Sequence, residues 1–227
     1  MEEKDMKSFD CEAVLFDLDG VLVNSNVAVE GHWRRWAQQH GLDAEAILKI
    51  SHGRPATETI RLVASHLMAE EAGKAFLQRE AEDLASVVEV EGVANLLASL
   101  PDRQWVIVTL GTLAIATNRL RHVGLSVPKV TIAADDISRG KPDLEGYLKA
   151  AARLGVAPER CLVVEDAVAG IKAARAARMS VVAVATTYQP ADLTEADAIV
   201  PALVGMAIEQ QMMDDDPVEL RVLLAEA

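Results

Sequence analysis

Short apolar runs rich in valine and isoleucine punctuate the chain: EAVLF at 12–16, WVIVT at 105–109, KVTIA at 129–133, CLVVE at 161–165 and VVAVA at 181–185. Between them apolar positions recur at the period of an amphipathic helix, as in Leu113, Ala116, Leu120 and Val123, then Tyr147, Leu148, Ala151 and Leu154. Strands that are apolar on both faces, separated by helices, predict an α/β fold with a parallel sheet covered on both sides. In such sheets ligands bind beyond the carboxyl ends of the strands, where the connecting loops gather.

Residues 26–88 break that rhythm, because they hold no convincing strand and read as consecutive helices. Val29, Trp33, Trp36 and Ala37 share one helical face, and Ile60, Val63, Ala64 and Leu67 share another. HWRRW at 32–36 therefore reads as core plus solvated face rather than as an aromatic and basic recognition element. The chain leaves the regular pattern just after DGVLVNS and rejoins it near VVEVEGV, both at the edge where the first strand ends. The expected organisation is a core of residues 1–25 and 89–227 with a helical cap of residues 26–88 placed to close as a lid.

Composition narrows the function. A chain of 227 residues, 51% of them apolar, has room for one large domain or a core carrying a smaller insertion. With 35 acidic against 22 basic residues the net charge is −13, which repels phosphate backbones and anionic lipid. Nucleic acid and membrane are thus not expected partners, and an anionic substrate needs locally placed cations. Cys11 and Cys161, the only cysteines, each begin an apolar run and read as free packed thiols, which suits a reducing cytosol. The N-terminal MEEKDMKS lacks a signal-like apolar stretch, and no run approaches the ~18 apolar residues of a membrane span, so a cytoplasmic location is expected. MDDDP at 213–217 reads as a solvated turn, and Pro217 fits a helix start for the closing VELRVLLAEA, with an edge strand as the alternative.

The polar residues that end the apolar runs carry the candidate chemistry. The first run ends in Asp17 and Asp19, the second in Thr109, and the fourth in Glu165 and Asp166, while Lys141 in RGKPD follows the third. Each alone reads as a turn or a helix cap. Together, a parallel sheet brings them to one rim. Asp17, Asp19 and Asp166 side by side would repel and raise one another's pKa unless a cation joined them, and hard oxygen donors without His or Cys point to Mg²⁺ rather than zinc. A metal held by carboxylates beside a lysine and a hydroxyl suits a phosphoryl group. Lys141 would offset its charge, and Thr109 with the following backbone N–H groups of Leu110 and Gly111 would bind its oxygens. Asp17, last in its strand, would attack phosphorus, and Asp19 would serve as general acid and base. In the cap, Gly53 permits a tight turn, Pro55 suits a first helical turn, and Arg54 just ahead of it is placed to reach an anion, with His52 the lesser candidate. The alternative is that His52 and Arg54 are exposed loop residues.

FDLDGVLVNS, VTLGT, RGKPD and VVEDAVAGI resemble, in order, the four motifs of the haloacid dehalogenase-like superfamily of aspartate-nucleophile phosphotransferases. The resemblance spans nearly the whole chain. It implies a Rossmann-like core with a helical cap inserted after the first motif, and a phosphoaspartyl intermediate. It also implies Mg²⁺ held by the Asp17 carboxylate, the Asp19 backbone carbonyl and Asp166, with Glu165 close to the metal shell. The dehalogenases of the superfamily lack the second aspartate, so Asp19 favours phosphate chemistry. HGRPATETIRLVA and VAVATTYQPADL further resemble the branch of 2-deoxyglucose-6-phosphatase and glycerol-3-phosphatase, with β-phosphoglucomutase more distant.

Three positions depart from that pattern. Leu110 stands where the branch usually has serine, which removes a hydroxyl and adds an isobutyl group beside the site. Leu144 stands where a second proline is common, and Arg178 where a glycine is expected past a helix end. The expected function is an Mg²⁺-dependent phosphatase acting on a small sugar or polyol phosphate, as a monomer or weak homodimer. The alternatives are a β-phosphoglucomutase-type mutase, which returns the phosphoryl group to a sugar phosphate, an inactive member of the family, and a phosphoacceptor or binding module resembling bacterial receiver domains.

Overall fold

The apolar runs become the inner strands of a parallel sheet, and the order in which they line up decides what meets at its rim. The computed structural model describes residues 7–51, 54–211 and 219–224. The chain begins with strands β1 (Lys7–Cys11), β2 (Ala13–Phe16) and β3 (Val23–Asn24), followed by helices α1 (Asn26–His40), α2 (Ala44–Ser51), α3 (Ala56–Val63) and α4 (Ala69–Glu82). It continues through β4 (Val88–Glu89), α5 (Val93–Ala98), β5 (Trp105–Val108), α6 (Leu113–His122), β6 (Thr131–Ile132), α7 (Glu145–Leu154), β7 (Cys161–Glu165), α8 (Val168–Ala176) and β8 (Ser180–Val184). It closes with β9 (Ala198–Val200), β10 (Met206–Gln211) and β11 (Glu219–Leu224).

The six-stranded sheet has the order β6-β5-β2-β7-β8-β9 and is parallel throughout. β2 sits between β5 and β7, with Phe16 opposite both Ile107 and Val164. That register sets the residues that follow these positions, Asp17 and Glu165 among them, at one level of the carboxyl-end rim. Alternate side chains serve opposite layers, as the pleat requires. Val14, Phe16, Ile107, Leu162 and Val164 pack with Leu96, Leu97, Ala116 and Leu120 of α5 and α6. Leu15, Val106, Val108 and Val163 pack with Tyr147, Ala150, Ile171 and Ala174 of α7 and α8. Leu113 and Leu148, placed on helical faces by periodicity, are instead 50% and 37% exposed, each at the margin of its helix's buried face.

The four helices α1–α4 gather around an apolar cluster of their own, in which Trp33, Trp36, Ile47, Leu48, Ile60 and Phe76 are buried. The Trp33 and Phe76 rings pack with centroids 4.1 Å apart and planes tilted by 33°. Arg34 turns outward to Glu30 at 2.8 Å and Arg35 to Asp83. The segments leading into and out of this bundle pair as an antiparallel ribbon, Val23 with Glu89 and Asn24 with Val88.

β11 lies between β1 and β10 in a small antiparallel sheet, so this part of the C-terminal segment is a central strand rather than a helix or an edge. Leu220, Val222 and Leu224 alternate inward, the period of two that a strand needs. The MDDDP turn and Pro217 lie outside the described residues. Cys11 and Cys161 are free and buried, and burial pushes both thiols up to about 12. Among the described residues no helix is long and apolar enough to cross a membrane.

Candidate active site

β2 delivers Asp17 to the rim, where its backbone N–H donates to the Val164 carbonyl at 2.9 Å. The chain then turns sharply, with Leu22 N–H donating to Leu18 O at 2.8 Å and Gly20 N–H to Val23 O at 2.7 Å. Gly20 has φ +83°, and a Cβ there would overlap the Asp166 carboxylate, so only glycine lets the turn pass that close. β7 delivers Glu165 and Asp166. Gly170, in the first turns of α8, leaves room for the Glu165 carboxylate in the same way.

Lys141 reaches across from the loop before α7. Its Nζ donates to Asp17 Oδ1 at 2.6 Å and to Glu165 Oε1 at 2.5 Å. Tyr147 OH donates to the same Glu165 oxygen at 2.7 Å, while the N–H groups of Asp166 and Ala167 donate to Oε2 at 3.0 and 3.1 Å. Burial pushes Asp17 up to about 7, against the pull of the Lys141 ammonium. Burial, then Glu165 and Asp17, push Asp166 well above the usual carboxylate range. Desolvation works against the charge on Lys141, yet Asp17 and Glu165 outweigh it and its pKa rises.

One oxygen from each of Asp17, Glu165 and Asp166 lies within 4.8 Å of the others. Three crowded, buried carboxylates facing one lysine leave surplus negative charge. Since both Glu165 oxygens are already bonded, Asp17 and Asp166 are the two that offer carboxylate oxygens, the donors that hard divalent cations take. The residues present therefore fit Mg²⁺. The Asp19 carboxylate is not in that trio, since its Oδ1 accepts from Ser25 Oγ and from Arg119 Nη1, each at 2.6 Å.

On the strand next to β2, Thr109 leaves β5 and curls. Its Oγ1 accepts the Gly111 N–H at 3.0 Å, and Thr112 caps α6 by accepting the Ile115 N–H at 3.2 Å. A single cavity is lined by Asp17, Asp19, Glu165, Asp166, Lys141, Thr109, Leu110 and Gly111 together. Arg54 is not among its lining residues. Its Nη1 donates to Ile50 O at 3.1 Å and its Nε lies 3.2 Å from Glu58, because a flexible guanidinium takes the nearest carbonyl and carboxylate. His52 and Gly53 lie outside the described residues.

The same cavity holds residues to which the sequence analysis gave no role at the site. Asn26, Val29 and Ser51 line it from the helical bundle, and Thr187 and Tyr188 from the loop after β8. Asn26 Nδ2 lies 3.4 Å from Thr187 Oγ1, and the Thr187 side chain bonds Asp166. The polar residues after the fifth apolar run were a usable signal, since that run ends at the same rim as the others. Tyr147 and Arg119 gave none, for each sits inside a helix of ordinary amphipathic pattern.

Comparison with known proteins adds to this geometry. The family profile described as haloacid dehalogenase-like hydrolase matches residues 11–178. The chain is 35% identical over 210 residues to hexitol phosphatase A of Escherichia coli, covering 90% of this chain and 97% of that protein. It is 34% identical over 217 residues to 2-deoxyglucose-6-phosphate phosphatase 2 of Saccharomyces cerevisiae, covering 85% and 87%. Among solved structures it resembles β-phosphoglucomutase from Clostridium difficile, with TM-score 0.69 and 25% identity over 86% of this chain and 92% of that one.

Proposed function

We propose, for a chain that belongs to the haloacid dehalogenase-like hydrolase family and is a phosphoric monoester hydrolase, that its substrate is a small sugar or polyol monophosphate and that Asp17 takes the phosphoryl group covalently. The observation that carries the mechanism is the contact of Asp17 with Lys141 at 2.6 Å, beside two further carboxylates and lining one cavity with the Thr109 loop. The substrate class rests on the relatives, which are named for hexitol and 2-deoxyglucose-6-phosphate substrates.

In this reading Lys141, the Leu110 N–H and the Thr109 hydroxyl receive the phosphoryl oxygens, and the Gly111 N–H joins them by exchanging its bond to Thr109 Oγ1 for one to the phosphoryl group. The Asp17 carboxylate attacks phosphorus, the ester P–O bond breaks, and Asp19 gives a proton to the departing alkoxide. Asp19 then takes a proton from water, whose oxygen attacks phosphorus and splits the acyl phosphate into free Asp17 and inorganic phosphate. Mg²⁺ held by Asp17, Asp166 and the Asp19 carbonyl would supply positive charge to offset that of the phosphoryl group and the carboxylates. Glu165, with both oxygens already bonded, orients Lys141. The helical residues 26–88 act as the lid, since Asn26, Val29 and Ser51 face the cavity from that side.

The test is a phosphate-release screen over sugar, polyol and nucleotide monophosphates, with and without Mg²⁺, using Asp17→Asn as the blank. Sugar or polyol phosphates should be hydrolysed best, with Mg²⁺ required, and Asp17→Asn should stay folded and be inactive. Comparable phosphate release by Asp17→Asn would refute the nucleophile.

A further inference from the structure

Arg119 is the largest fully buried side chain among the described residues, at 1% exposure. A guanidinium loses several kcal/mol of hydration on burial, and well-packed apolar side chains in its place are often as stabilising or more so. Its position therefore asks for a reason other than packing. Nη1 donates to Asp19 Oδ1 at 2.6 Å and Nη2 to Glu80 Oε1 at 2.7 Å. Glu80 is itself largely shielded, its side chain 13% exposed, and desolvation raises its pKa against the pull of Arg119. Nε has no hydrogen-bond partner among the described residues, where the side chain is held by its two terminal nitrogens.

The two carboxylates come from different parts of the molecule. Asp19 follows β2 at the rim, whereas Glu80 rides on the last turn of α4 in the helical bundle. Asn118, the neighbour of Arg119 on α6, donates to the Ala81 carbonyl at 2.9 Å and fastens the same turn. At the Asp19 end, Oδ1 accepts both Arg119 and Ser25, while Oδ2 has no hydrogen-bond partner among the described residues. An oxygen that already accepts two strong donors is the poorer proton carrier, which leaves Oδ2 for the transferred proton. Fixing one oxygen also fixes the direction of the other.

We propose that Arg119 and Glu80 are a positioning pair for Asp19: Glu80 holds the guanidinium, the guanidinium fixes Asp19 Oδ1, and Oδ2 is thereby aimed into the cavity as the proton donor. The proposal rests on the reading of Asp19 as general acid. It also makes the seat of α4 on α6 a determinant of proton transfer. A lysine at 119 has one charged nitrogen and does not span both carboxylates as the guanidinium fork does.

The experiment uses the leaving-group dependence of catalysis. A polyol alkoxide needs a proton to leave, whereas p-nitrophenolate departs without one, so the ratio of kcat/KM for a hexitol monophosphate to that for p-nitrophenyl phosphate reports the general acid. Asp19→Asn should lower that ratio by roughly 100-fold or more. Arg119→Lys should lower it by about 10-fold, and Glu80→Gln in the same direction by less. A purely structural role would reduce both substrates alike and leave the ratio untouched. An unchanged ratio in Arg119→Lys and Glu80→Gln, with the ratio lowered in Asp19→Asn, overturns the positioning role alone. An unchanged ratio in Asp19→Asn overturns the assignment of the acid and the positioning role with it. Thermal melts by circular dichroism establish folding, and if Arg119→Lys does not fold, Glu80→Gln decides.

Discussion

Glu165 has no acceptor capacity to spare. Lys141 and Tyr147 occupy Oε1 and two backbone N–H groups occupy Oε2, which uses the roughly four acceptor positions of a carboxylate. A side chain bonded this fully is a fixed anchor, and its use is to hold the Lys141 ammonium against Asp17. Tyr147 is the least obvious member, because it is fully buried and reaches the site from the first turn of a core-facing helix. Burial, then the nearby carboxylates, raise its pKa well above the ordinary range, so it donates as a neutral phenol. Tyr147→Phe removes that donor and leaves a buried charged oxygen with Lys141 alone. The expected cost is about 1–3 kcal/mol in urea denaturation. Activity should fall with it, because the lysine loses a partner that limits its movement. Unchanged stability would mean that the phenol contributes nothing beyond its ring.

At the scale of elements, the loop that carries Lys141 is held by the helix that follows it. Glu145, first residue of α7, accepts the N–H groups of Ser138 and Arg139 at 3.1 and 3.0 Å and the Lys149 ammonium at 2.6 Å. The Lys149 contact and then the Ser138 N–H lower its pKa from 4.5 to about 2. Because the folded value lies below the unfolded one, this stabilisation is complete above about pH 4.5 and is lost as pH falls toward 2. Glu145→Gln should therefore be less stable than the parent at neutral pH, and the gap should close over that acid window when urea midpoints are compared at each pH. A gap that persists at pH 2 would show that the carboxylate charge is not what the loop depends on.

How far such elements can be read from the chain depends on where their determinants lie. The inner strands of the large sheet are legible, because continuous apolar runs between helical periods have few other solutions. β11 is less so, since its alternating Leu220, Val222 and Leu224 follow an acidic run and a proline that signal a helix start just as well. Arg178 lies at the opposite extreme. A glycine is the residue expected after α8, and the arginine there takes φ +62° while Arg178 and Met179 donate back to Arg175 and Ala174, closing the helix as a glycine would. The backbone there follows the helix end despite a cost on the order of 1 kcal/mol. Most of the rim was visible as polar residues ending apolar runs. Arg119 was not, because an arginine in an amphipathic helix reads as solvated, and only the packing of α4 against α6 buries it.

The whole molecule sets an electrostatic problem that one site must answer. With a net charge of −13 the protein repels the anions it is proposed to hydrolyse, and the cavity gathers buried carboxylates rather than spare cations. On the reading proposed above, the carboxylates are a cost that the bound cation relieves, so the cation should stabilise the fold as well as serve the reaction. At a Mg²⁺ concentration about 100 times its Kd, binding to the native state alone adds roughly 2.7 kcal/mol. For a chain of this length that is a rise in Tm of about 5–10 °C, read by a thermal melt with and without EDTA. Asp166→Asn separates the two halves of the argument. By removing one of the crowded charges it should raise the Tm in EDTA above that of the parent, and by removing a ligand it should abolish most of the response to Mg²⁺. A parent protein whose melting is indifferent to Mg²⁺, or an Asp166→Asn variant that responds as fully as the parent, would mean that the acidic cluster is not the place where the divalent ion binds.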